Sequence, residues 1–159
     1  MRKLLALATL FATAAMAAGT HPYDETADAK AAVQQALASA RAGNVPVLVI
    51  LGANWCEDCR ALDRALGSGR NARLVATRFR VVKVDVGNFD HNLDLVAQYG
   101  NPIAKGIPAA VVLSPGNEVI YTSKAGELAD ARLMSERGIY DFFERVSALR
   151  PAAGPPAQR

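Results

Sequence analysis

Hydrophobic and polar positions along this chain change their period several times, and each change marks an element. From Thr26 to Asn44 the pattern is helical, with Val33, Leu37 and Ala40 on one face, Thr26 or Asp28 as cap and Gly43-Asn44 as stop. Residues 45–53, VPVLVILGA, are continuously apolar and rich in β-branched side chains, the pattern of a strand buried on both faces. CEDCRALDRALGS then returns to helical spacing, with Leu62 and Leu66 on one face, and NARLVATRF predicts a second short helix capped by Asn71. RVVKVDV is the next strand. NFDHNLDLVAQYG predicts a helix with Leu93, Val96 and Ala97 inward and Gly100 as its stop.

Two further strands follow in AAVVL and NEVIYTS, joined through the tight turn Ser114-Pro115-Gly116-Asn117. DARLMSERGIYDFFERVSAL predicts one closing helix, its apolar face formed by Leu133, Ile139, Phe142, Phe143 and Val146, with Gly138 weakening it. A strand–helix–strand unit implies parallel pairing, and the Pro-Gly-Asn hairpin adds an antiparallel pair. The expected fold class is α/β, a central mixed sheet flanked by helices on both faces.

Both ends fall outside that pattern. Arg2 and Lys3 precede the uncharged run LLALATLFATAA, and Ala15-Met16-Ala17 places small residues where a signal peptidase reads. This is the layout of a secretory signal peptide, too short to span a membrane comfortably. The expected organisation is a signal at 1–18, a flexible polar leader at 19–27, the folded domain at 28–148, and a disordered Pro/Ala-rich tail at 149–159. The signal changes the charge picture. Without Arg2 and Lys3, the 18 Lys and Arg fall to 16 against 15 Asp and Glu, close to neutral. No basic stripe with interleaved aromatics is present, so nucleic acid is not an expected partner. The signal also places the chain across an inner membrane, as in a bacterial periplasm, where disulfides persist.

The two cysteines of the chain, Cys56 and Cys59, lie in WCEDC, where strand gives way to helix. Free amides and the positive end of the dipole at that corner favour a thiolate at Cys56. Cys59, one turn on, can reach Cys56 but is shielded, which suits two-step exchange: an exposed sulfur attacks and a buried one resolves. Two inert core cysteines and half of a zinc site are the alternatives. Zinc needs about four ligands, and His21 and His91 are each isolated, so no metal is expected.

With VPVLVILGANWCEDCRAL, VVKVDV and YG…KGIPAAVVL together, the chain resembles the thioredoxin superfamily, in its secreted thioredoxin-like branch, from about residue 28 to residue 147. That resemblance implies a thioredoxin fold and thiol–disulfide exchange by Cys56 (nucleophile) and Cys59 (resolving thiol), with no cofactor beyond the cysteine pair. It implies a cis peptide at Ile107-Pro108 and a substrate strand held by the Ile107 backbone beside Pro108. Trp55, next to Cys56, reads as a lid over the dithiol and as a candidate substrate contact.

The sequence departs from the family in two places. Thioredoxins carry a buried aspartate six positions before the first cysteine; here that position is Ile50. Their Gly-Pro between the cysteines is replaced by Glu57-Asp58. Those carboxylates either tune the Cys56 pKa upward, favouring a reductase, or simply cap the helix. The expected function is reduction of protein disulfides by a monomer recharged from a membrane-bound thiol donor. A disulfide oxidase or isomerase, and a non-enzymatic binding or metal-shuttling module, are the alternatives.

Overall fold

A computed structural model describes residues 21–149. The signal at 1–18 and all of the tail beyond residue 149 lie outside the described residues. The elements are α1 (Ala29–Gly43), β1 (Val47–Gly52), α2 (Glu57–Leu66), α3 (Gly69–Arg78), β2 (Arg80–Asp85), α4 (Leu93–Gln98), β3 (Ala109–Leu113), β4 (Val119–Thr122), a 3-10 turn (Ala131–Leu133) and α5 (Glu136–Ser147).

The four strands form one sheet in the order β2-β1-β3-β4. β1 pairs in parallel with β2, and β3 runs antiparallel to both β1 and β4. All six residues of β1 are buried, because alternate side chains enter different cores. Val47, Val49 and Leu51 join Val33 and Leu37 of α1 and Val96 of α4. Leu48 and Ile50 join Leu62 of α2, Leu74 of α3 and Phe142 and Phe143 of α5. Helices therefore cover both faces, the expected α/β arrangement, and the end of β1 is fixed from both sides.

Local chemistry sets the ends of α1. Asp28 caps it, accepting the Ala31 N–H at 3.0 Å, and Asn44 ends it in a left-handed conformation (φ 47°).

The structure corrects several details. Asn71 does not cap α3; Ser68 holds that position, and Asn71 is buried within the helix, its amide donating to the Glu136 carbonyl. In α4, Leu95 and Val96 are the buried pair, while Leu93 and Ala97 are exposed, because a six-residue helix buries only one short stripe. The closing helix is two pieces. The chain turns extended at Met134, and Ser135 starts α5 by accepting the Gly138 N–H at 3.0 Å. Leu133 thereby leaves the core and is 75% exposed.

Part of the segment expected to be a flexible leader packs onto the domain. Tyr23 is buried in the same core as Leu37 and Cys59, 4% exposed. Asn54 clips its backbone from both sides: Oδ1 accepts the Tyr23 N–H at 3.0 Å and Nδ2 donates to the Tyr23 carbonyl at 2.9 Å. The same Nδ2 donates to Glu25 Oε1 at 2.8 Å.

Candidate active site

The end of β1 and the start of α2 deliver the two cysteines. They are joined as a disulfide, with Cα atoms 5.2 Å apart. Cys56 is the N-cap residue of α2, extended at φ −74° and ψ 117°, and its Sγ accepts the Cys59 N–H at 3.1 Å. A sulfur in the cap position meets an otherwise unpaired first-turn amide and the positive end of the helix dipole. Negative charge on Cys56 is favoured there. Cys59 is fully buried and Cys56 retains 6% exposure.

The loop before β3 closes over this corner. The Ile107-Pro108 peptide is cis, and the Ile107 carbonyl oxygen lies 3.6 Å from Cys56 Sγ. Ile107 and Pro108 are both buried against the dithiol side of the fold. Trp55, immediately before Cys56, is 54% exposed. Its indole N–H donates to the Gly87 carbonyl at 2.9 Å, and its ring meets Phe89 edge-on at 6.1 Å. Trp55 is thus anchored to the loop after β2 and offers an exposed aromatic surface beside the sulfurs.

The two acidic residues between the cysteines have separate fates. Glu57 is exposed in the first turn of α2. Asp58 is buried, and its carboxylate accepts both the Arg132 backbone N–H, at 2.9 Å, and the Arg132 guanidinium. That pair pins the 3-10 turn onto α2. Arg132 therefore compensates the Asp58 charge close to the dithiol, and Glu57 keeps the freer charge.

Sequence reasoning missed three residues that shape this site: Arg132, Asn54 and Tyr23. Arg132 and Tyr23 lie far along the chain from what they touch. Gly52 shows how closely Tyr23 approaches. An ideal Cβ there would overlap Tyr23 Oη and come within 2.9 Å of Cys59 Sγ. Burial, followed by the negative charges of Asp63 and Asp85, pushes the Tyr23 phenol well above its ordinary pKa. Asp63 pairs with Lys83, while Asp85 Oδ2 accepts the Gly87 N–H at 2.9 Å and lies 3.0 Å from His91 Nδ1. No group of three or more His, Cys, Asp or Glu side chains suited to a metal ion occurs among the described residues. What the site can do chemically rests on the two sulfurs, which exchange two electrons by making and breaking one S–S bond.

Comparison with known proteins agrees with this geometry. A family model described as thioredoxin-like matches residues 28–115. A solved structure described as a disulphide isomerase from Xylella fastidiosa Temecula1 is 55% identical, with a TM-score of 0.78, covering 79% of this chain and 96% of its own. The C-terminal domain of DsbD from Neisseria meningitidis, in its reduced form, is 18% identical with a TM-score of 0.52, covering 73% of this chain and 95% of its own. At that identity the likeness is one of fold. No curated protein matches the chain at a significant level.

Proposed function

Because the chain belongs to the thioredoxin-like family of disulfide oxidoreductases, we propose that its Cys56–Cys59 pair reduces protein disulfides outside the cytoplasm. The observation that carries this reading is the placement of Cys56 Sγ at the N-cap of α2, bonded to the Cys59 N–H and facing the Ile107 carbonyl. In the reduced protein the Cys56 thiolate attacks one sulfur of a substrate disulfide, and the other substrate sulfur leaves as a thiolate and takes a proton. Cys59 then attacks Cys56 Sγ, releasing the second substrate thiolate and closing the Cys56–Cys59 bond. The Ile107 backbone beside Pro108 holds the substrate strand by main-chain hydrogen bonds, and exposed Trp55 contacts the side chains flanking the substrate sulfur. A membrane-bound dithiol donor restores the reduced pair, and the protein works as a monomer.

The extracytoplasmic setting rests on the signal pattern of residues 1–18. Fractionation of cells carrying the full chain is expected to place it outside the cytoplasm. Exposed Glu57 supports the reducing direction, because its charge opposes a Cys56 thiolate and so disfavours the reduced form. The test is equilibration with glutathione or dithiothreitol. A potential near that of thioredoxin, about −270 mV, is expected; one near about −120 mV would make the protein an oxidant instead.

A second reading has its own support: the 55% identical structure is described as a disulphide isomerase. Insulin reduction and refolding of scrambled ribonuclease separate the two. Reductase activity without reactivation of scrambled ribonuclease is the expected result, and Cys56→Ser should abolish it.

A further inference from the structure

Resolution of the mixed disulfide needs Cys59 as a thiolate, yet Cys59 is fully buried. Burial in apolar surroundings disfavours that charge. Ile50, two residues before Gly52 on the same face of β1, is packed with Leu62 and offers this sulfur no polar group. At Gly52, the last residue of β1, the situation differs. Gly52 leaves room for nothing but hydrogen, and the space is taken jointly by Tyr23 Oη and Cys59 Sγ. The segment 21–25 is held there by the Asn54 clip, so the hydroxyl is placed by fixed backbone.

We propose that Tyr23 is a catalytic residue of the exchange reaction, its hydroxyl donating a hydrogen bond to the Cys59 thiolate during resolution. The inference rests on Cys59 being the resolving thiol. Cys59 first loses its proton to water. Its sulfur then bonds to Cys56 Sγ, the bond from Cys56 Sγ to the substrate sulfur breaks, and the electron pair leaves with that sulfur. Tyr23 keeps its proton throughout and lowers the cost of the buried negative charge. A phenol suits this role because it stays neutral across the working range: burial first, and then the neighbouring carboxylates, hold it protonated. The charged and titratable groups around it are Asp63 on α2, Lys83 paired with Asp63, and Asp85 on β2 with its partner His91. None of these is altered in the comparison below, so their own titrations are common to both proteins.

The test follows the Cβ resonance of Cys59 by carbon-13 NMR as pH is varied, in a Cys56→Ser background that removes coupling between the thiols. A hydrogen bond to a charged group gives an expected change of about tenfold in the ionisation constant. Tyr23→Phe keeps the ring in the core and should raise the Cys59 midpoint by about one unit. Replacing tyrosine by 3-fluorotyrosine, a stronger donor of the same size, should lower it. The fluorinated protein decides the matter where Tyr23→Phe does not fold. An unmoved Cys59 midpoint in folded Tyr23→Phe, or no downward shift on fluorination, overturns the proposal. Iodoacetamide labelling of the reduced wild-type chain keeps the two failures apart. If Cys59 is labelled before Cys56, the assignment of roles in the dithiol fails. If Cys56 is labelled first and the midpoint does not move, only the role of Tyr23 fails.

Discussion

Gly52→Ala is the sharpest probe of how the surroundings of the dithiol are packed. The glycine is required here by close approach, since nothing about its φ is unusual. A Cβ at this position would lie 2.5 Å from Tyr23 Cζ and 2.9 Å from Cys59 Sγ. Neither neighbour can yield cheaply, because one is a buried ring and the other a sulfur tied into a disulfide and a helix. Overpacking of this kind costs about 1–3 kcal/mol, and rigid neighbours place Gly52→Ala at the upper end. For a domain of this size each kcal/mol moves Tm by about 3–4 °C, so a fall of about 10 °C is expected in the oxidised protein. Circular dichroism during heating measures it. A double-mutant cycle gives the stricter form. Tyr23→Ala alone should cost about 3 kcal/mol as a buried aromatic deletion. Combined with Gly52→Ala the loss should fall short of the sum by at least about 1 kcal/mol, since the new methyl group then has space. A Gly52→Ala protein within about 0.5 kcal/mol of wild type, or strict additivity in the cycle, would refute the packing described.

Three other outcomes are expected. Arg132→Ala leaves the buried Asp58 carboxylate with only a backbone donor, so it should cost about 1–2 kcal/mol in urea unfolding, between the ranges for exposed and fully buried pairs. Asp58→Ala should cost less, because the guanidinium it strands can reach water; the reverse order would count against the clamp. Asn54→Ala removes the clip on Tyr23, and amide exchange at residues 23–26 should accelerate while β1 stays protected. His91 is held above its ordinary pKa of 6.5, first by its hydrogen bond to Asp85 and then by the Asp90 charge. Its contribution is therefore complete below pH 6.5 and is lost as pH rises through the higher folded value. Urea titrations at acidic and alkaline pH should show that slope in wild type and a flatter one in His91→Gln.

The readability of each element in the sequence followed from how local its causes are. β1 announces itself because both of its faces are buried, so every position in it is apolar. The cap of α1 at Asp28 and the dithiol at a helix start rest on residues three apart. Apolar periodicity misled where an element is too short to impose it. Leu93 and Leu133 fit a helical stripe, yet α4 has six residues and the chain breaks at Met134 before α5 begins. The remaining features are pairings over long separations. Asp58 meets Arg132 across 74 residues, and Asn54 meets Tyr23 across 31. A tyrosine in a polar stretch carries no periodic signal. The only trace of its role is a glycine at the end of an otherwise bulky strand, which marks that another group must come close.

The Asn54 clip also bears on where this protein can be cut. The family match starts at residue 28, downstream of Tyr23. A recombinant chain begun there would keep every strand, both cysteines and the cis-proline loop, and so would look complete. It would nevertheless leave a void the size of a phenol ring behind Gly52. Water entering that void would solvate Cys59 from the rear and narrow its difference in exposure from Cys56, on which the proposed order of exchange rests. The same holds for any protease that trims the amino terminus: a cut a few residues too late removes Tyr23 from its place against Gly52 and Cys59.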